Sequence, residues 1–162
     1  MPPSETFFNR AVKDYMRKKF YILKADDTVA TAVKVMKENN IGSVGVQFGS
    51  GPVGIVTDRD IVMKVVSVSG DPAKVKLQDV AVRNPITISQ DASLEEAFKL
   101  MRDNGILRLI VLDDRSRPFG LLVERWVFAS FVSEILGEKR EEPHGWLDRY
   151  VRDVTDAALM ED

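Results

Sequence analysis

The chain has no cysteine and a single histidine, His144, among its 162 residues. Thiol catalysis is therefore excluded, and a zinc site built from cysteine and histidine is not expected. The sequence also lacks a run of about 18 apolar residues and a basic-then-apolar start, so we expect a cytoplasmic protein with no export signal and no membrane partner. The formal net charge is only −2, which provides no global field to attract nucleic acid.

What is present is a globular composition, with 44% hydrophobic and 30% charged residues. Such a chain is not the polar, core-poor kind that stays disordered. A chain of this length can bury a core without the help of a metal or a disulfide.

The sequence repeats itself at a constant offset of 65 residues, as from Met36 to Met101. The other matched pairs are Asp14 and Asp79, Asp26 and Asp91, Ala32 and Ala97, Lys34 and Lys99, Asn39 and Asn104, Ile41 and Ile106, and Val46 and Val111. Gly54 recurs as Gly120, one residue later, which an extra residue in a turn explains. An internal repeat decides the architecture before any single element does.

Each copy predicts the order strand, helix, strand, strand, helix. The apolar spacing i, i+3, i+4, i+7 predicts an amphipathic helix in each copy; its members are Val29, Ala32, Val33 and Met36, and then Leu94, Ala97, Phe98 and Met101. The predicted strands are 20–23, 43–48 and 52–56 in the first copy and 86–88, 108–112 and 119–123 in the second. The predicted closing helices are 58–66 and 125–136.

The fold class predicted is therefore α/β (α+β), with two tandem repeats. One copy cannot easily bury both faces of so small a sheet, so we expect the copies to pack as a pseudo-two-fold pair. The predicted divisions are an N-terminal helix with the first repeat (1–69), a linker (70–76), the second repeat (77–136) and a C-terminal tail (137–162).

The segment from Gly54 to Asp60 carries the most chemical information, because a strand runs directly into a helix. The Asp60 carboxylate can accept hydrogen bonds from both hydroxyls of a ribose, and the Thr57 hydroxyl can bond to sugar or phosphate. Ile41 and Ile55 could sandwich a planar base. By itself the motif favours an alternative, since Thr57-x-x-Asp60 is also a helix-capping pattern, and caps are far commoner than nucleotide sites. The occurrence of the motif within a duplicated unit reverses this preference.

The order and duplication of the motifs resemble the CBS (cystathionine-beta-synthase-type) domain pair. The first copy matches through Asn40-Ile41-Gly42-Ser43-Val44 and the Gly54 to Asp60 segment, and the second through Gly105-Ile106-Leu107-Arg108-Leu109. The resemblance covers residues 10–136. It implies a regulatory sensor of adenine nucleotides (AMP, ADP or ATP), in which Asp60 binds the ribose and Thr57 the ribose or phosphate.

The resemblance also implies which residues surround the rest of the ligand. Ile41, Gly42, Ser43 and Ile55 would line the base pocket, and Arg108 would reach the phosphate. Lys18 and Lys19 could add positive charge for the phosphate, or could belong to a solvated loop.

The second copy departs from the motif, because it has Val123 where the first copy has Thr57 and Trp126 where the first has Asp60. A ribose there would find neither hydroxyl nor carboxylate. The equivalent site is expected to be empty or filled by Trp126, which predicts one nucleotide per chain.

Both ends of the chain carry apolar stripes. Phe8, Ala11, Val12 and Tyr15 predict one face of an N-terminal helix that packs on the other repeat. The tail stripe is Leu147, Tyr150, Val151, Val154 and Ala158, which predicts an amphipathic helix. Three roles are open for it: docking on its own domain, contact across a homodimer, which we favour, or docking of an effector protein.

The function predicted is regulatory binding, with no required cofactor, with Mg²⁺ possible beside ATP, and with no catalytic residue or metal ligand. The alternatives are a scaffold or interaction module that binds another adenosyl ligand (NAD or S-adenosylmethionine) or nucleic acid. An enzyme is the least favoured class, because the sequence contains no nucleophile–base pair, Walker-type loop or metal-ligand cluster.

Overall fold

The computed structural model describes residues 3–137 and has the predicted order of elements twice over. The helices are α1 (Pro3–Phe8), α2 (Val29–Asn39), α3 (Asp58–Lys64), α4 (Leu77–Val80), α5 (Leu94–Asn104) and α6 (Glu124–Ile135). The strands are β1 (Ile22–Lys24), β2 (Ser43–Gln47), β3 (Val53–Thr57), β4 (Thr87–Ser89), β5 (Arg108–Leu112) and β6 (Pro118–Val123). Short 3-10 turns occupy Val12–Asp14 and Val66–Val68. The predicted tail helix lies outside the described residues.

The strands form two three-stranded sheets of the order β1-β2-β3 and β4-β5-β6. In the first sheet β1 runs parallel to β2, and β2 runs antiparallel to β3. The predicted mixed α/β class is confirmed.

Equivalent capping residues bound the first long helix of each copy. Thr28 begins α2 by accepting a hydrogen bond from the Thr31 amide, and Ser93 begins α5 by accepting one from the Glu96 amide. Asn40 ends α2 and Gly105 ends α5, both in the left-handed conformation with φ of 50° and 62°. Asparagine and glycine are the residues that adopt this conformation most readily, so each helix ends where its sequence allows.

The described chain divides into two compact units. The first unit comprises residues 18–87 and 118–120, and the second comprises 3–17, 88–117 and 121–137. Helix α4 therefore belongs to the first unit, although the predicted second repeat (77–136) begins with it. The core of the first unit consists of Val29, Ala32, Met36, Val44, Val46, Val56, Ile61, Val65, Leu77 and Val80.

In the second unit the N-terminal segment packs against the second copy, as predicted. The Phe8 ring meets the Phe98 ring edge-on at 5.6 Å, and the Val12 amide donates to the Ala92 carbonyl at 2.9 Å. The prediction of one continuous helix is wrong, because α1 ends at Phe8. Ala11 instead forms a β-bridge with Ser93, so the backbone here bonds to the second copy rather than to a helical turn.

Within residues 3–137, no helix combines the length and the apolar character that crossing a bilayer would require.

Candidate functional site

The candidate site lies where β3 runs into α3 in the first unit. Thr57 ends β3 and is the N-cap of α3, and Asp60 stands three residues further on. The Thr57 hydroxyl oxygen accepts from the Asp60 amide at 3.2 Å, and the Asp60 carboxylate accepts from the Thr57 amide at 3.0 Å and from its hydroxyl at 2.8 Å. The two bonds donated by the backbone amides of Asp60 and Thr57 form a capping box, so the capping interpretation is confirmed. The ribose interpretation stays a prediction.

Lys64 completes the surroundings of the Asp60 carboxylate. Its ammonium lies 2.9 Å from Oδ1, whereas both bonds from Thr57 end on Oδ2. Lys64 also donates to the Val80 carbonyl at 2.7 Å. The sequence analysis missed this residue, but its spacing of four from Asp60 on one helix face was a usable signal.

These contacts keep the carboxylate ionised although only 18% of its side chain is exposed. Burial by itself would raise the pKa of Asp60, but the hydrogen bonds from Lys64 and Thr57 outweigh it and hold the pKa below its ordinary value. At neutral pH, Asp60 is therefore an anionic acceptor.

The start of β2 lies beside this carboxylate-bearing turn. Ser43 pairs directly with Thr57 across the two strands, and the Gly42 carbonyl accepts from the Asp58 amide at 3.0 Å. Ile41, which immediately precedes this pair, is half-buried against the core of the first unit. The first unit thus brings the start of β2 to the start of α3.

Alternation along the strands divides the first sheet into two faces. Val44, Val46 and Val56 are fully buried in the core on one face. On the other face, Ile55 and Thr57 share one strand and stand opposite Gly45 and Ser43. Ile55 is 8% exposed and Ser43 is 3% exposed. Two of the predicted base-contacting residues, Ser43 and Ile55, therefore share a face with Thr57.

The free edge of β3 is closed by the segment that follows α4. Ile55 and Val82 exchange both backbone hydrogen bonds, at 3.0 and 2.8 Å. A Cβ added at Gly54 would lie 2.6 Å from the Val82 carbonyl oxygen and 2.8 Å from the Phe48 ring. Glycine at the first position of the motif is thus explained by this close approach.

The structure also brings Arg83 to this edge, a residue that the sequence analysis did not propose for the site. Its guanidinium lies 4.6 Å from the centre of the Phe48 ring. The repeat offers the signal that could have identified it, because Arg83 is the counterpart of Lys18 at the offset of 65.

The predicted phosphate contacts have varied surroundings. Lys18 and Lys19 are exposed ahead of β1, and the Lys19 ammonium lies 5.0 Å from the Tyr21 ring. Arg108 begins β5 in the second unit and is half-buried. Their phosphate roles stay predictions.

The second unit builds the same turn from different side chains. The Glu124 amide donates to the Leu107 carbonyl at 3.0 Å, just as Asp58 does to Gly42. Val123 provides no side-chain cap for α6. Trp126, at the position of Asp60, is 3% exposed, and the Arg17 guanidinium lies 3.6 Å from the centre of its ring. Of the two alternatives for this position, the structure favours one filled by the indole.

Two copies of one small α/β unit, with the strand-to-helix turn polar in one copy and apolar in the other, define a tandem-repeat protein with a single candidate binding turn. The sequence profile of the CBS domain matches residues 12–67 and 77–125, so the chain belongs to the CBS domain family.

The chain is similar to uncharacterized proteins and, in its fold, to a CBS domain pair solved with ligands. It is 42% identical to the uncharacterized protein MK0525 of Methanopyrus kandleri over 65% of this chain, and the match spans 59% of that relative. The fold resembles an uncharacterized conserved protein from Pyrococcus horikoshii (TM-score 0.68, 26% identity, 83% of this chain and 97% of that one). It also resembles the CBS domain pair of protein MJ0100, solved with 5'-methylthioadenosine and S-adenosyl-L-methionine (TM-score 0.64, 23% identity, 79% and 96% coverage).

Proposed function

We propose that this chain is a regulatory module that binds one adenine nucleotide at the Asp60 turn of the first unit. The observation that carries the proposal is the Asp60 carboxylate, which is anionic, largely buried and fixed in direction by Thr57. A carboxylate in this state is suited to accept hydrogen bonds from the vicinal hydroxyls of a ribose.

The surroundings suit the rest of an adenosine. Ile55 shares a sheet face with Thr57, and Ile41 adjoins the Gly42–Ser43 pair at the start of β2. A planar, mostly apolar base gains by contact with such side chains, since removing apolar surface from water is favourable. The candidates for phosphate contact are Arg108, Lys18 and Lys19. A substitution that lowers the affinity for AMP but not for adenosine would identify the residue as a phosphate contact.

A second candidate ligand class is favoured by one comparison. The CBS pair of MJ0100 is described in complex with 5'-methylthioadenosine and S-adenosyl-L-methionine, which share the adenosine group but lack a phosphate. Asp60 is proposed to bind the ribose of the adenosine group. An adenosyl ligand of this kind, or NAD, is therefore the alternative to AMP, ADP or ATP.

The module is proposed to act by binding and not by catalysis. A ligand can shift a conformational equilibrium only by its difference in affinity for the two states, and a partner then reads the change. A homodimer is the proposed assembly, and exposed apolar side chains at Val62, Met63 and Phe128 are consistent with a further contact. The solution mass of the full chain, compared with that of a chain ending at Gly137, tests the dimer and the role of the tail.

The ligand class is tested by thermal unfolding with AMP, ADP, ATP, NAD, S-adenosylmethionine and a short RNA. A ligand that binds only the folded state raises the unfolding temperature. We expect stabilisation by an adenosine-containing ligand that disappears in Asp60→Asn and persists in Asp58→Asn, which removes the same charge from the same helix turn. Stabilisation by RNA alone would contradict the proposal.

A further inference from the structure

Lys64 links the site carboxylate to a different element of the first unit. Its ammonium bonds at once to Asp60 Oδ1, at 2.9 Å, and to the Val80 carbonyl in α4, at 2.7 Å. The Lys64 side chain is 43% exposed, so the ammonium is in reach of water.

The acceptor capacity of Asp60 places this ammonium in competition with a ribose. A carboxylate offers about four lone-pair sites, two on each oxygen. Thr57 uses both sites on Oδ2 through its amide and its hydroxyl, and Lys64 uses one on Oδ1. A vicinal hydroxyl pair brings two donors to the one site that is left, so one present donor must withdraw, and Lys64 is the one whose withdrawal frees all of Oδ1.

Lys64 is the natural donor to give way for a second reason. The Thr57 amide bond to Oδ2 belongs to the capping box that begins α3, so breaking it would weaken the helix cap, and the Thr57 hydroxyl bond ends on the same oxygen and not on Oδ1. The lysine bond ends on a flexible four-carbon stem whose head can be solvated in place.

The other partner of Lys64 leads back to the site. Val80 lies two residues before Val82, which pairs with Ile55 on the edge of β3. From Ile55 the strand continues to Thr57 and the capping box. Asp60, Lys64, Val80, Val82 and Ile55 thus form a closed circuit of contacts inside the first unit.

We propose that Lys64 is an affinity-determining residue of the Asp60 site, a competitor built into the chain that ribose hydroxyls displace from Oδ1. Its displacement breaks the link that Lys64 forms between Asp60 and Val80. Ligand binding at Asp60 thereby loosens residues 77–82. The inference rests on the proposed adenosine site and adds its regulation.

Calorimetric titration with adenosine, which lacks a phosphate, tests the competition directly. In Lys64→Met the carboxylate has lost its competitor, and we expect adenosine to bind about three- to tenfold more tightly, the range of one typical hydrogen bond. Lys64→Arg keeps both the charge and a donor for the carboxylate, so it should not show the tighter binding expected of Lys64→Met.

A matched control separates this effect from a general loss of charge. Lys34 forms a similar pair four residues along its helix, 3.8 Å from Glu38, so Lys34→Met removes the same charge in the same unit. We expect adenosine affinity in this variant to equal that of the unaltered chain.

Amide hydrogen exchange tests the coupling to α4. Adenosine should speed exchange at Ala81 and Val82 relative to the amides of β2 in the unaltered chain. In Lys64→Met this relative exchange should already be fast before adenosine is added. A variant that was merely less stable would exchange faster in both places.

The outcomes are distinguishable. Equal or weaker adenosine binding in Lys64→Met, with binding intact in the unaltered chain, would overturn the role of Lys64 and leave the proposed function standing. Tighter binding in both Lys64→Met and Lys34→Met would also overturn it. Absence of adenosine binding in every variant would overturn the proposed function and this inference together.

Discussion

Asp60 serves two purposes with its two carboxylate oxygens. Oδ2 holds the N-terminus of α3 through Thr57, and Oδ1 faces Lys64. The helix cap and the ribose contact are therefore compatible, although the sequence presents them as alternatives. The cap orients the carboxylate that the ligand is proposed to use.

The ionisation of Asp60 gives the first prediction, which concerns stability against pH. Because its folded pKa is lowered, Asp60 contributes stability that is full above its unfolded pKa and is lost as pH falls through the folded pKa. We expect Asp60→Asn to lower the free energy of unfolding by about 1–2 kcal/mol at neutral pH. The difference from the unaltered chain should shrink in strongly acidic solution, as urea unfolding at both pH values would measure. A difference that stayed constant with pH would refute this account of the carboxylate.

At the scale of elements, the segment at the start of each predicted repeat packs in the unit of the other repeat. Residues 11–17 bond to the second copy through Ala11–Ser93 and Arg17–Leu121, and residues 77–82 bond to the first through Ile55–Val82. The sequence shows that Asp14 and Asp79 are equivalent, but it does not show that the segments around them pack in exchanged units. The unit in which each segment packs is determined by long-range backbone pairing.

The second prediction concerns the N-terminal segment, which should stabilise the second unit. The Phe7 ring is 1% exposed and meets Tyr15 at 5.0 Å and Phe131 at 4.9 Å. Phe7→Ala should therefore lower the free energy of unfolding by about 3–5 kcal/mol.

Phe128→Ala is the matched control, since this ring is 60% exposed. It should change the free energy of unfolding of a monomer by no more than about 0.5 kcal/mol. Equal effects of the two variants, measured by chemical denaturation, would contradict the packing of the N-terminal segment.

The helices and strands were predictable to different degrees, for physical reasons. The i, i+3, i+4, i+7 spacing gave α2 and α5, and the structure shows that Thr28 and Ser93 cap them. The N-terminal helix was predicted to include Phe8, Ala11, Val12 and Tyr15 because their apolar spacing is helical, whereas α1 ends at Phe8. Bridge formation at Ala11 competes with helix there, and periodicity alone carries no information about that competition.

At the scale of the whole molecule, the two repeats share a similar backbone at the strand-to-helix turn but carry different side chains there. The backbone bonds of the turn match, as from Asp58 to Gly42 and from Glu124 to Leu107. The side chains do not, because Trp126 is buried beneath Arg17 where the first copy has Asp60. The substitution was visible in the sequence, whereas the stacking of Arg17 was not, since its partner is more than a hundred residues away in the chain.

The candidate site was predictable because its main residues lie in one short motif and in two paired strands. Thr57 and Asp60 belong to one short motif, and Ser43 and Gly42 come to it through regular strand pairing. Lys64 and Arg83 were missed because their roles depend on a carbonyl in α4 and on the ring of Phe48. Neither contact follows from a motif.

The central claim is one adenine nucleotide per chain, held by Asp60, and calorimetric titration with AMP measures it most directly. The account predicts a stoichiometry of one per chain, lost in Asp60→Asn and kept in Asp58→Asn. Two equivalent sites per chain, or full affinity in Asp60→Asn, would contradict it.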